Sequence, residues 1–362
     1  MAYAIKKGSD YMNTVLWTGN STADRAITGV GFQPDLVWLK TRSNAGQSHH
    51  LVDSVRGLGS NIMNTVHTNR NNPEDGTGTN SGAGYDTYYG AIQSIDSDGF
   101  TVDKTGNDSY QQVNNSTWTY AAWNWKLGGS AVSNSDGTIT SSVLANQTAG
   151  FSICTYTGNG TGGATIGHGL GTTPKFVTVR RRNGNGGFPV YHSGIGATKY
   201  VSLYNGDAAS TVSTIWNNTA PTSSVFSVGT DAWLNASSGT YVAYCWAEVP
   251  GYSKIGTFTG NGSADGPFVY TGFKPSWILI KNTSTDALSW VIHDTTRRTF
   301  NYHGEELYPN GDGAAANAST ERLDILSNGF KLRTTANSLN ASSGNMIYMA
   351  FAECPFKYAN AL

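Results

Sequence analysis

Three blocks of sequence recur in the same order three times along the 362 residues, and this repetition constrains the fold more than any other feature. The stretch Trp17 to Lys40, WTGNSTADRAITGVGFQPDLVWLK, aligns without a gap with Phe258 to Lys281, FTGNGSADGPFVYTGFKPSWILIK. Tyr156 to Arg180, YTGNGTGGATIGHGLGTTPKFVTVR, needs one inserted residue, after which Pro34, Pro174 and Pro275 share a register. A second block follows as HHLVDS from His49, FPVYHS from Phe188 and SWVIHD from Ser289. The third reads SDGFTV from Ser97 with TYAAWNWK from Thr119, LNASSGTYVAYCWAE from Leu234, and LSNGFKL from Leu326 with LNASSGNMIYMAFAE from Leu339. Such order, kept three times, points to duplication of one unit.

The blocks read as strands and turns. Leu36 to Leu39 and Trp277 to Ile280 are short runs, apolar on both faces, as a central buried strand requires and a helix of ten or more residues does not. Asp98-Gly99 and Asn328-Gly329, each between apolar residues, place glycine where a hairpin needs positive φ. The Asn-Ala-Ser-Ser-Gly turns at Asn235 and Asn340 lead into final strands of alternating bulk. No stretch sustains an i, i+3, i+4, i+7 apolar pattern; one helical turn at most is expected, from Asp53 to Leu58.

The expected fold is therefore all-β: three tandem diverged antiparallel β-sandwich units of jelly-roll or lectin-like kind, with two or three cores. Boundaries follow from the repeats. Residues 1–15 read as an N-terminal arm for attachment and 16–128 as the first unit, with an inserted loop at 61–90. Residues 129–150 are a small, polar linker with at most one strand, 151–250 the second unit and 251–362 the third. The insertion, rich in Asn, Gly, Thr and Tyr, is the expected contact loop.

Chemistry is harder to find. Lys and Arg total 23 against 24 for Asp and Glu, so no field of one sign draws a polyanion, and nucleic acid is not an expected partner. The cluster Arg180, Arg181 and Arg182 reads as a solvated strand end. Cys154, Cys245 and Cys354 have no CxxC spacing, so neither a zinc site nor a disulfide framework is indicated, and no cofactor is expected. His293 beside Asp294, with His192 and Asp53 at the place equivalent to His293, is the one pattern that invites acid–base work. No nucleophile motif accompanies it, and a polar residue that ends a strand by bonding a turn accounts for all three. The carboxylates sit mostly in turns, so no cleft-spanning pair is expected and catalysis is not.

The chain holds 10 Trp, 19 Tyr and 13 Phe. Aromatics shared by the repeats are assigned to cores. Those outside the shared pattern are candidate ligand contacts: Tyr85, Tyr88 and Tyr89 in the insertion, Trp216 and Trp233 in the second unit, and Tyr302 and Tyr308 in the third.

Taken together, YTGNG, GFQPDLVWLK, DSVRG, SDGFTV, WNNTAPTSSVFS, NASSGTYVAYCWAE and MAFAECPFKYANAL resemble repeat-domain virion structural or tail-fibre-like proteins of tailed phages, marine and cyanobacterial ones above all. The resemblance runs from about Leu16 to the C-terminus and implies a virion role without supplying any active-site residue. It implies a tail fibre or appendage subunit, with host-surface polysaccharide as a possible ligand. Other virion proteins would be its partners, and a homotrimer is expected by analogy with fibres. Capsid decoration is the alternative, and glycan depolymerisation a more distant one. No signal peptide or membrane-spanning run is visible, so synthesis in the host cytoplasm is expected, and the resemblance implies a place in the virion.

Overall fold

The computed structural model describes residues 4–59, 62–75, 90–103, 112–301, 304–317 and 322–355. The chain is all-β, built almost wholly of antiparallel sheets with no barrel. One strand order recurs in each segment. In the first it runs Met12–Thr18, Thr119–Trp125, Leu36–Thr41, His50–Asp53; in the last, Ser253–Thr259, Asn345–Pro355, Phe273–Asn282, Val291–Asp294. The middle sheet contains Phe151–Thr157, Thr240–Trp246, Phe176–Arg181 and Pro189–His192 in the same order, within eight strands. A smaller sheet faces each main one: Arg25–Thr28 with Gly99–Asp103 and Ala91–Asp96, Ala164–Gly167 with Val225–Val228, and Phe268–Tyr270 with Gly329–Leu332 and Leu323–Leu326.

Among the described residues four apolar clusters hold these sheets, more than the two or three expected. Three lie between a main sheet and its small partner. The fourth, and largest, is shared by all three segments. Strand alternation explains how one run serves two cores. Val37 and Leu39 enter the first segment's own cluster while Leu36 and Trp38 enter the shared one; Ile278 and Ile280 divide from Trp277 and Leu279 in the same way. Runs apolar on both faces are thus strands buried on both faces. Trp125, Trp246 and Phe351 occupy the same place in the three sheets and converge. The rings of Trp125 and Trp246 are 6.3 Å apart, and those of Trp125 and Phe351 5.7 Å. Burying each such ring contributes on the order of 2–3 kcal/mol.

The repeated Thr-Gly-Asn turn has a physical reason. A Cβ at Gly19, Gly158 or Gly260 would come within 1.9, 2.5 or 2.3 Å of the carbonyl oxygen of Asn115, Ala236 or Ala341. Only glycine lets these backbones meet. A buried asparagine then ties each turn down. Asn340 accepts from Asn261 N at 2.9 Å and donates to Ser263 O and Thr334 O, both at 2.7 Å. Asn235 and Asn114 act alike on Asn159 and Asn20.

Several expectations need correction. Of the expected arm 1–15, the described residues 4–15 are not free: Ile5 lies in the shared core, Gly8 touches Ala352, and Met12 already begins a strand. The 129–150 stretch supplies two strands, Val132–Asn134 and Ser141–Asn146, which extend the middle sheet. Its buried apolar residues include Leu144 and Ala149 toward the shared core and Ile139 and Val143 toward the middle one, too sparse to stand out from a polar background. Asp53 to Leu58 is a plain turn, whereas single helical turns form at Ser213–Trp216, Ala232–Asn235 and Asn337–Asn340. Each is anchored by a buried residue, Trp216, Leu234 or Leu339, over a span too short to show a period. Of the insertion, 62–75 packs into the body, with Thr65, His67, Glu74 and Asp75 buried, while 76–89 lie outside the described residues.

Candidate functional site

The segments meet along three seams built from matching positions. Lys40, Arg180 and Lys281 end equivalent strands, and all three are buried. Each donates to its own following loop and to a neighbouring segment. Lys40 Nζ reaches Gln47 O at 2.8 Å and Asp312 O at 3.3 Å; Lys281 Nζ reaches Leu288 O at 2.5 Å and Gly206 O at 2.7 Å. The Arg180 guanidinium donates to Gly186 O and Gly187 O and, across the seam, to Asn72 O. A backbone bond accompanies each: Ala315 N to Arg42 O at 2.7 Å, Glu74 N to Arg182 O at 2.8 Å, and Ala209 N to Thr283 O at 2.9 Å. The direction is cyclic, first to last, middle to first, last to middle. Burial pushes the Lys40 ammonium down to about 7 and Lys281 to about 8. Arg180 is thus no solvated strand end. Its charge is neutralised by carbonyl dipoles from a distant part of the chain, which its sequence neighbours do not reveal.

Asp53, His192 and Asp294 stand at equivalent strand ends, and each caps the turn after it. Asp53 accepts from Arg56 N at 2.8 Å and Arg56 Nε at 2.6 Å, and from the Tyr244 hydroxyl at 2.8 Å. Asp294 accepts from Arg297 N at 2.8 Å and Trp123 Nε1 at 2.9 Å, and His192 Nδ1 accepts from Gly194 N at 2.9 Å. The donors Tyr244 and Trp123 come from other segments, so these side chains also belong to the seams. His293 lies 3.9 Å from Glu306, whose carboxyl burial pushes above its ordinary range. Tyr308, a candidate contact, donates to Glu306 at 2.7 Å, and Arg322 lies 3.4 Å from the same carboxylate. This group has the parts for proton transfer, but Glu306 is only 2% exposed.

The other aromatic candidates disperse. Trp216 is a core residue, set edge-on to Tyr191 at 6.1 Å, and is corrected from surface contact to packing. Trp233 is half-buried against Gly187, 6.4 Å from Tyr200. Tyr85, Tyr88, Tyr89 and Tyr302 lie outside the described residues. Among the described residues no cluster of His, Cys, Asp or Glu gathers to hold a metal, and no helix is long and apolar enough to cross a membrane.

The structure adds a site that sequence alignment conceals. Without a gap, Ile27 pairs with Phe268. In the sheets, Ile27 lies opposite Phe100 and Val269 opposite Phe330, so the true equivalence is shifted by one residue. A one-residue shift exchanges the two faces of a strand. Val269 therefore takes the buried place, and Phe268 and Tyr270 point outward at 45% and 60% exposure. The matching positions in the first segment are Ala26 and Thr28, also exposed. Successive outward side chains on a strand stand roughly 7 Å apart. A cavity of about 250 Å³ adjoins Tyr270, lined also by Glu248, Lys254 and Ser253. Burial alone would raise the Glu248 carboxyl, yet Lys175, the Ile255 amide and Lys254 hold it below its ordinary range. The cavity thus offers a fixed anion and an amine beside one open ring, that of Tyr270, with Phe268 two residues along the same strand face. The sequence signal for this site is the alternation Phe-Val-Tyr, which the gapless alignment conceals.

No curated protein and no solved structure matches this chain. One family profile does, over residues 7–355. The chain belongs to the family described as Domain of unknown function (DUF7483).

Proposed function

We propose that this chain is a non-catalytic structural protein of a phage virion, in a tail fibre or appendage, and that its last segment contacts glycans on the host surface through Phe268 and Tyr270. The observation that carries this reading is the outward-facing aromatic pair beside a polar cavity, on a body closed by a shared core and three seams. Sugar rings present flat C–H faces to aromatic side chains and hydroxyls to charged and polar groups, and a rigid platform lowers the ordering cost of binding. The sequence resemblance supplies the virion setting. Mass spectrometry of purified particles tests that setting, and its failure to detect the chain overturns it. Adsorption of purified protein to host cells, compared with the Phe268→Ala, Tyr270→Ala double variant, tests the site. Unchanged adsorption removes the aromatic pair from the proposal.

Capsid decoration is the second reading, favoured by the cyclic arrangement of three equivalent segments, which suits a local threefold position on a shell. Binding to isolated shells rather than to cells decides for it. Trimerisation of whole chains is part of the tail-fibre proposal and must use surface other than the three internal seams; light scattering measures it.

A further inference from the structure

The first strand of each segment is an outer strand of the repeated four-strand order, and the three edges end differently. That of Phe151–Thr157 is covered by the chain's own Ser141–Asn146, paired from Phe151 opposite Asn146 to Tyr156 opposite Ser141. That of Met12–Thr18 is blunted: Asn13 Oδ1 accepts from Thr14 N at 3.0 Å, and Arg25 Nη1 donates to Thr18 O at 2.6 Å. Along Ser253–Thr259 only the start is occupied, where Glu248 Oε1 accepts from Ile255 N at 2.9 Å. Gly260 N bonds inward to Gly344 O, so with a period of two the amides of Thr257 and Thr259 point away from the sheet. Both residues are exposed, and neither amide has a partner among the described residues.

We infer that this edge binds an extended segment of a partner protein, added as a further antiparallel strand as Ser141–Asn146 is added to the middle sheet. The site continues the seam between the middle and last segments. A cavity of about 600 Å³ is lined by Thr257, Thr259, Thr283 and Ser284 and, from the middle segment, by Lys199 and Ala209. Threonine and serine hydroxyls, the Lys199 amine and the apolar Ile195, Phe258, Met346 and Ile347 line it, and among the described residues no carboxylate does. The occupant is accordingly a strand of Ser, Thr and small apolar residues with an acidic residue near one end. The chain's own covering segment has that composition: DGTITSSVLAN, Asp136 to Asn146. Main-chain bonds supply the affinity in such strand addition, and alternate side chains the selectivity. The inference is independent of the glycan reading.

The test uses the full chain and a synthetic DGTITSSVLAN peptide, with binding followed by calorimetry and amide hydrogen exchange. Slowed exchange at Thr257 and Thr259 in the unaltered protein is expected. Thr257→Pro, which removes the outward amide of an edge strand, weakens binding by about tenfold or more, while Thr257→Ala, which keeps it, changes binding by less than about threefold. The absence of peptide binding, protection at Leu16 in place of Thr257, or equal losses in the two variants overturns the inference. So does concentration-dependent self-association abolished by Thr257→Pro, which would make a second copy of the chain the occupant. Because the exchange readout needs no variant, a misfolded proline variant leaves the test intact.

Discussion

Equivalent positions behave in two ways in this molecule. At the centre, Trp125, Trp246 and Phe351 hold one place in three sheets, all aromatic and all nearly free of solvent. On the outer sheets, Ala26 and Thr28 correspond to Phe268 and Tyr270, and only the last segment is aromatic there. At these two places, the aromatic that recurs closes the fold and the one that does not recur faces outward. A buried position must keep the contacts that close the core, whereas a substitution at an exposed one usually changes stability little.

The comparison is broken most directly at the centre. Trp125→Ala is expected to cost about 3–5 kcal/mol in denaturant unfolding, since three segments lose packing at once. A loss below about 1 kcal/mol would show that the shared core does not hold them. Arg56→Ala strands the Asp53 and Glu74 carboxylates, which lie 2.6 and 2.7 Å from the guanidinium with all three side chains at most 4% exposed. Removing one member of such a buried pair costs about 3–5 kcal/mol, and Arg56→Lys, which cannot serve both acids, should recover only part of it.

A pH titration sharpens the same contrast. Burial pushes the His192 imidazole down from 6.5 to about 4. Between those values the unfolded chain takes up a proton that the folded chain refuses. The stability present above the unfolded value is therefore lost as pH falls from 6.5 toward 4, by about 3 kcal/mol at the lower end. His192→Gln should narrow the difference between melts at about pH 7 and about pH 4.5. Gly260→Ala should cost about 1–3 kcal/mol, because the added methyl meets a backbone carbonyl that cannot yield. Smallest of all, Phe268→Ala with Tyr270→Ala should change stability by no more than about 0.5 kcal/mol per site while abolishing adsorption. A large loss of stability would move the pair from recognition to packing.

Strand identity was legible wherever a run was apolar on both faces, as in Leu36 to Leu39, because only a doubly buried strand tolerates it. The strand Ser141–Asn146 was not, since its few apolar residues divide between two cores. At the candidate site, the composition of Phe268 and Tyr270 was visible but their direction was not. Direction depends on register, and register is fixed by the partner strand Gly329–Leu332, some sixty residues away.

By itself, then, the sequence determined an all-β chain with matching strands in recurring order, because apolar periodicity and glycine turns act over a few residues. Tertiary structure alone decided that the segments close on one another around a common core. It also decided that Lys40, Arg180 and Lys281 are sealed inside, bonded to carbonyls 272, 108 and 75 residues distant. Burial of a charge depends on who supplies its dipoles, and here they come from parts of the chain that only folding brings near.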